Sequence, residues 1–81
     1  MMKVWVIEEE CHGYIGLAST LEKAADFLIT TDWINSGTED YRGHSLEFYH
    51  GEHWKEAVLH TYTVSDFEDF GFYIREVNVY D

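Results

Sequence analysis

Proline is absent from this chain, cysteine occurs once, and bases are few: 5 Lys and Arg stand against 16 Asp and Glu. The lack of proline argues against a Pro-rich linker or a disordered tail. A lone Cys11 cannot form an internal bridge, so there is no disulfide framework, and a free thiol fits a reducing compartment. The shortage of bases carries the most weight. With a formal charge of −11, the chain cannot gain the counterion release that drives nucleic-acid binding. Direct binding to DNA, RNA or an anionic membrane surface is therefore disfavoured. Long apolar runs are missing too. Val4 to Ile7 is far too short for a signal h-region or a membrane span, and the expectation is an unprocessed cytoplasmic protein. No glycine-rich phosphate loop is present either; Gly13-Tyr14-Ile15-Gly16 is too short and wrongly placed.

What the chain has is aromatic weight: 3 Trp, 6 Tyr and 5 Phe among 81 residues. Those rings are the natural core of one domain, residues 1–81, that is too small to divide. Met2 to Glu8 reads as a strand, with Val4 and Val6 on one face and Trp5 and Ile7 on the other, and two apolar faces imply a central position. Glu8 to Gly13 forms a hairpin loop, and Tyr14 to Ala18 returns as a second strand. Ser19-Thr20-Leu21-Glu22 has capping-box spacing with Ser19 as the cap. Behind it, Leu21, Ala24, Ala25 and Leu28 recur at helical spacing in a main helix that runs to about Trp33-Ile34, where Asn35-Ser36-Gly37 stops it. Ser45 is placed to cap a short turn, Leu46 to His50, closed by Gly51. Residues 54–64 fit helical and strand periods alike, and capping chemistry favours short helices. A second capping box, Ser65-Asp66-Phe67-Glu68, precedes the stop at Gly71, with Phe67 and Phe70 as its buried pair. Phe72 to Tyr80 is strand-like. These elements predict an α+β fold: a small antiparallel sheet of about three strands, with one main helix and short helices packed on one face.

Taken in order, the N-terminal Lys-Val-Trp-Val-Ile strand, the Ser-Thr-Leu-Glu-Lys-Ala-Ala-Asp-Phe-Leu helix start, Gly51-Glu52-His53-Trp54-Lys55-Glu56 and the closing Phe72-Tyr73-Ile74-Arg75-Glu76-Val77-Asn78-Val79-Tyr80 resemble a loose group of small, uncharacterised acidic proteins. That group is encoded by phages and prophages of Gram-positive bacteria. The resemblance implies an accessory protein acting on host processes, of the kind that inhibits host nucleic-acid enzymes, as anti-CRISPR proteins do. It supplies no catalytic residues to carry over.

No enzymatic constellation assembles from the sequence. His53, Glu56 and His60 could share a helix face before zinc, but the HExxH spacing is absent. Gly51 separates His50 from His53, and exposed histidines are the simpler reading. Glu8, Glu9 and Glu10 stabilise the protonated thiol of Cys11 and oppose its use as a nucleophile. Carboxylate pairs such as Glu39-Asp40 and Glu52-Glu56 are inevitable in so acidic a chain and say little about acid–base catalysis. The expectation is a protein that is not an enzyme and carries no cofactor or metal.

The placement of the acids is more informative. Glu8, Glu9 and Glu10 sit at a hairpin tip, Glu39 and Asp40 in a loop, and Asp66, Glu68 and Asp69 on a short helix, interleaved with aromatics. Carboxylates spaced along a surface stand in for phosphates before a protein built to hold nucleic acid, and Tyr41 and Tyr49 are candidate anchors. The expected partner is a basic host protein that binds nucleic acid, blocked by occlusion. The plainer alternative is that acidity only keeps an aromatic-rich protein soluble. Two rivals remain: an adaptor docking through an apolar patch or sheet edge, and a small-molecule or nucleotide-signal sponge whose pocket needs a homodimer.

Overall fold

The computed structural model describes residues 2–34 and 46–80. Strands β1 (Met2–Glu9), β2 (Gly13–Ala18) and β3 (Phe72–Val79) form an antiparallel sheet in the order β2-β1-β3. The first strand is central, as its two apolar faces predict. Ile7 lies opposite Gly16 on one side and Ile74 on the other. Ile7, Ile74 and Phe72 therefore share the inner face, and all three are buried. Between Ile7 and Glu8 the register with β2 shifts, leaving Ile15 as an extra residue and Tyr14 opposite Glu8. This bulge re-aims β2 so that Ile15 also packs on the core.

Among the described residues, four helices lie between the second and third strands: α1 (Leu21–Thr30), α2 (Leu46–His50), α3 (Trp54–Thr61) and α4 (Val64–Asp69). A 3-10 turn, Gly51–His53, links α2 to α3. Residues 54–61 are thus helical. Trp54 and Val58, four apart, are the buried pair, whereas strand alternation would have buried Val58 with His60 and Tyr62. The helices cover the inner face, and Ala24, Ala25, Leu28, Ile34, Leu46, Trp54, Val58 and Phe67 complete the core. Gly16 admits α1 to the sheet: a Cβ there would lie 2.8 Å from Phe27 Cζ, so only glycine lets that ring approach without movement. Burial of each large side chain in this core contributes roughly 1.5–3 kcal/mol.

Three local expectations are corrected. The cap of α1 is Thr20 rather than Ser19: the Thr20 hydroxyl accepts from the Lys23 N–H at 3.1 Å. Both hydroxyls have the chemistry, but the helix frame that buries Ala24, Ala25, Leu28 and Ile29 begins at Leu21 and leaves Thr20 as the last extended residue.

The same helix ends at Thr30, short of Trp33-Ile34. Asp32 takes the left-handed conformation (φ 62) usual for glycine, and its N–H donates to the Ile29 carbonyl. Ile34 N–H then reaches Leu28 O at 2.9 Å and buries the Ile34 side chain. Asn35-Ser36-Gly37, named as the stop, and Ser45, named as a cap, lie outside the described residues.

The second capping box is built on Thr63 and Asp66, not on Ser65 and Glu68. The Asp66 carboxylate accepts from the Thr63 N–H at 2.6 Å and hydroxyl at 2.8 Å, and the Thr63 hydroxyl accepts from the Asp66 N–H. Aspartate at the third helical position closes the box as glutamate does, which starts α4 two residues earlier. Gly71 (φ 86) ends it as expected, donating to Glu68 O at 2.9 Å.

Candidate protein-binding surface

The hairpin tip and the end of α4 meet at Gly71. Glu10 N–H donates to Gly71 O at 2.9 Å, and a Cβ on Gly71 would lie 3.1 Å from the Glu10 carboxylate. Glu68 and Asp69, in the last turn of α4, sit immediately before this junction. Glu10, Glu68 and Asp69, all exposed, thus lie on chain segments that meet at one end of the sheet. Two of them occupy the C-terminal turn of a helix that has no base there. Carboxylates at that end face the negative pole of the helix and weaken it by a few tenths of a kcal/mol each.

The other predicted acids have structural partners. Glu8 points to the outer sheet face, where Arg75 Nη2 donates to it at 3.1 Å. Glu9 folds back over the tip: its carboxylate accepts from the Cys11 N–H at 2.9 Å and pairs with His12 Nδ1. The hydrogen bond from His12, and then that from Cys11, hold the Glu9 carboxyl below the usual glutamate range. The His12 ring stands edge-on to Trp33 at 5.3 Å, and Trp33 meets Phe72 in the same manner at 6.2 Å. These contacts fasten the tip to the turn after α1. Asp66 is occupied by its cap. Glu39, Asp40 and Tyr41 lie outside the described residues.

Of the two predicted aromatic anchors, Tyr49 lies on α2 with 41% of its surface exposed. It belongs to a chain of rings: Phe48 (70% exposed) contacts Tyr49, Tyr49 contacts His50, and His50 contacts Tyr62. His50 Nε2 and the Tyr62 hydroxyl are 2.9 Å apart, and Tyr62 stacks on Phe70 at 5.9 Å. Phe70 directly precedes Gly71, so the chain of rings ends at the carboxylates. Sequence reasoning placed Phe70 in the core beside Phe67. Phe67 is fully buried, but Phe70 is only half-buried. Phe48 and Tyr62 were not singled out; the run Phe48-Tyr49-His50 was the available signal.

The surface thus combines three carboxylates with an adjoining aromatic run. Among the described residues, no group of three His, Cys, Asp or Glu side chains is placed to hold a metal ion. His53 pairs with Glu52 at 3.7 Å and precedes the first turn of α3. Cys11 is exposed at the tip. No described helix is long and apolar enough to cross a membrane. No protein-family model, no curated protein and no solved structure matches this chain.

Proposed function

We propose that the chain is a non-catalytic acidic inhibitor that occupies the cationic cleft of a nucleic-acid-binding host protein. The observation that carries this reading is the convergence of Glu10, Glu68 and Asp69 at Gly71, where two of the carboxylates stand at the unfavourable pole of α4. A cationic partner relieves that local repulsion, so the unfavourable placement becomes binding energy in the complex. The aromatic run ending in Phe70 supplies the desolvated contacts that charge pairing alone lacks. Carboxylates in this setting replace phosphates, and the inhibition is steric, with no turnover. A phage or prophage accessory role in the host cytoplasm, including an anti-CRISPR role, rests on the sequence resemblance.

The test is capture from a bacterial lysate on the immobilised protein, with bound proteins released by salt or by duplex DNA. The proposal expects basic nucleic-acid-binding proteins that leave at high salt and are displaced by DNA at low salt. Retained proteins that resist both treatments overturn it and favour an adaptor using apolar contacts.

A further inference from the structure

The outer face of the sheet has the opposite character to the acidic end. Central-strand residues Val4 and Val6 lie there between Leu17 of β2 and Val77 of β3, with Tyr14 and Tyr73 on the flanks. Leu17 is 54% exposed, Tyr14 63% and Tyr73 47%. The strand residues of this face carry one acid and one base, Glu8 and Arg75, and these neutralise each other at 3.1 Å. A chain of formal charge −11 thus has one apolar sheet face without net charge. Arg75 stands opposite Val6 and Glu8 lies two residues farther along the central strand, so the neutralised pair sits beside the valines on the same face.

We infer that this face binds a second copy of the chain, the two sheets packing face to face about 10 Å apart around a two-fold axis. Charge selects this occupant. A basic partner gains nothing from a neutral surface, and an anionic lipid surface is repelled by the rest of the chain. A second copy brings the same neutral face and keeps both acidic ends away from the contact. The Glu8 and Arg75 pair is self-complementary, since each base can face the other copy's acid. A standard interface buries about 800 Å² per partner, and the exposed Leu17, Tyr14 and Tyr73 supply apolar surface towards it. This inference does not depend on the proposed function; a dimer would present two acidic ends at once and strengthen binding to an extended cleft.

Sedimentation equilibrium from micromolar to near-millimolar protein, at physiological and at high salt, tests it. The expected result is a mass that rises to twice the chain mass, with high salt leaving the dimer intact because screening reduces the repulsion between acidic ends. Leu17→Glu, on an exposed edge-strand position, is expected to weaken association on the order of tenfold or more with circular dichroism unchanged. Phe48→Ser, on the aromatic run of α2, is expected to leave it unchanged. A wild-type chain that stays monomeric throughout overturns the inference. So does a dimer that survives Leu17→Glu or is dissolved by Phe48→Ser.

Discussion

The two faces of one sheet differ in how their apolar residues are used. On the inner face, Ile7, Phe72 and Ile74 are buried under helices that bring Leu28, Val58 and Phe67 onto them. On the outer face, Val6 pairs with Leu17 and Arg75, and Val4 with Val77, yet no described helix covers them. Alternation in a half-covered antiparallel sheet usually puts polar residues on the bare side. Here both sides are apolar, so apolar character alone does not say which face is the core. The inner face is the one to which α1 can come close, through Gly16, and which α4 reaches directly through Phe67.

The sharpest way to test that division is to cut into the inner face. Phe67→Ala should cost about 3–5 kcal/mol through lost burial and a residual cavity. A domain of this length has about 4–12 kcal/mol in total, so the variant should be largely unfolded by circular dichroism or melt at very low urea. If it melts near wild type, the core has been placed on the wrong side.

A smaller effect separates the two capping schemes. Thr63→Ala should lower stability by about 1 kcal/mol in urea titration, since it removes one half of the box with Asp66. Ser65→Ala should be nearly neutral. The reverse ranking would restore the box at Ser65.

The smallest effect concerns the tip that fastens the sheet to α1. Because the Glu9 carboxyl is held below its ordinary value, its hydrogen bonds stabilise the fold above the ordinary carboxylate range. That stabilisation is lost as pH falls through the folded value. Urea midpoints of wild type and Glu9→Gln should therefore differ at neutral pH and converge in acid, below the ordinary glutamate range. A gap that persists into acid would mean that Glu9 holds the tip by something other than its charge.

Much of this architecture was legible from local chemistry. β-branched and aromatic runs identified the strands, the spacing of Ala24, Ala25 and Leu28 identified α1, and Gly51 and Gly71 marked the ends of α2 and α4. Cap positions were harder, because Ser19-Thr20 and Thr63-Val64-Ser65 each offer two hydroxyls within two residues, and only the buried face of the helix chooses between them. Asp32 ended α1 where the sequence offered Gly37 as the more familiar stop. The acidic surface was legible as composition but not as geometry. Glu8, Glu9, Glu10, Asp66, Glu68 and Asp69 read alike as exposed acids. Which of them were consumed by Arg75, His12 and Thr63 depended on a hairpin fold-back, a strand register and a cap. The meeting of Glu10 with Glu68 and Asp69 spans almost sixty residues, and no local pattern announces it.

The most direct measurement compares wild type with the triple variant Glu10→Gln, Glu68→Gln, Asp69→Asn in two readouts: lysate capture at low salt and the urea midpoint. The account predicts that the variant loses the basic nucleic-acid-binding proteins while its midpoint stays level or rises, because neutral amides end the repulsion at the pole of α4. Undiminished capture would contradict it and leave the acidity to solubility. A fallen midpoint would contradict it as well, by showing that these carboxylates serve the fold.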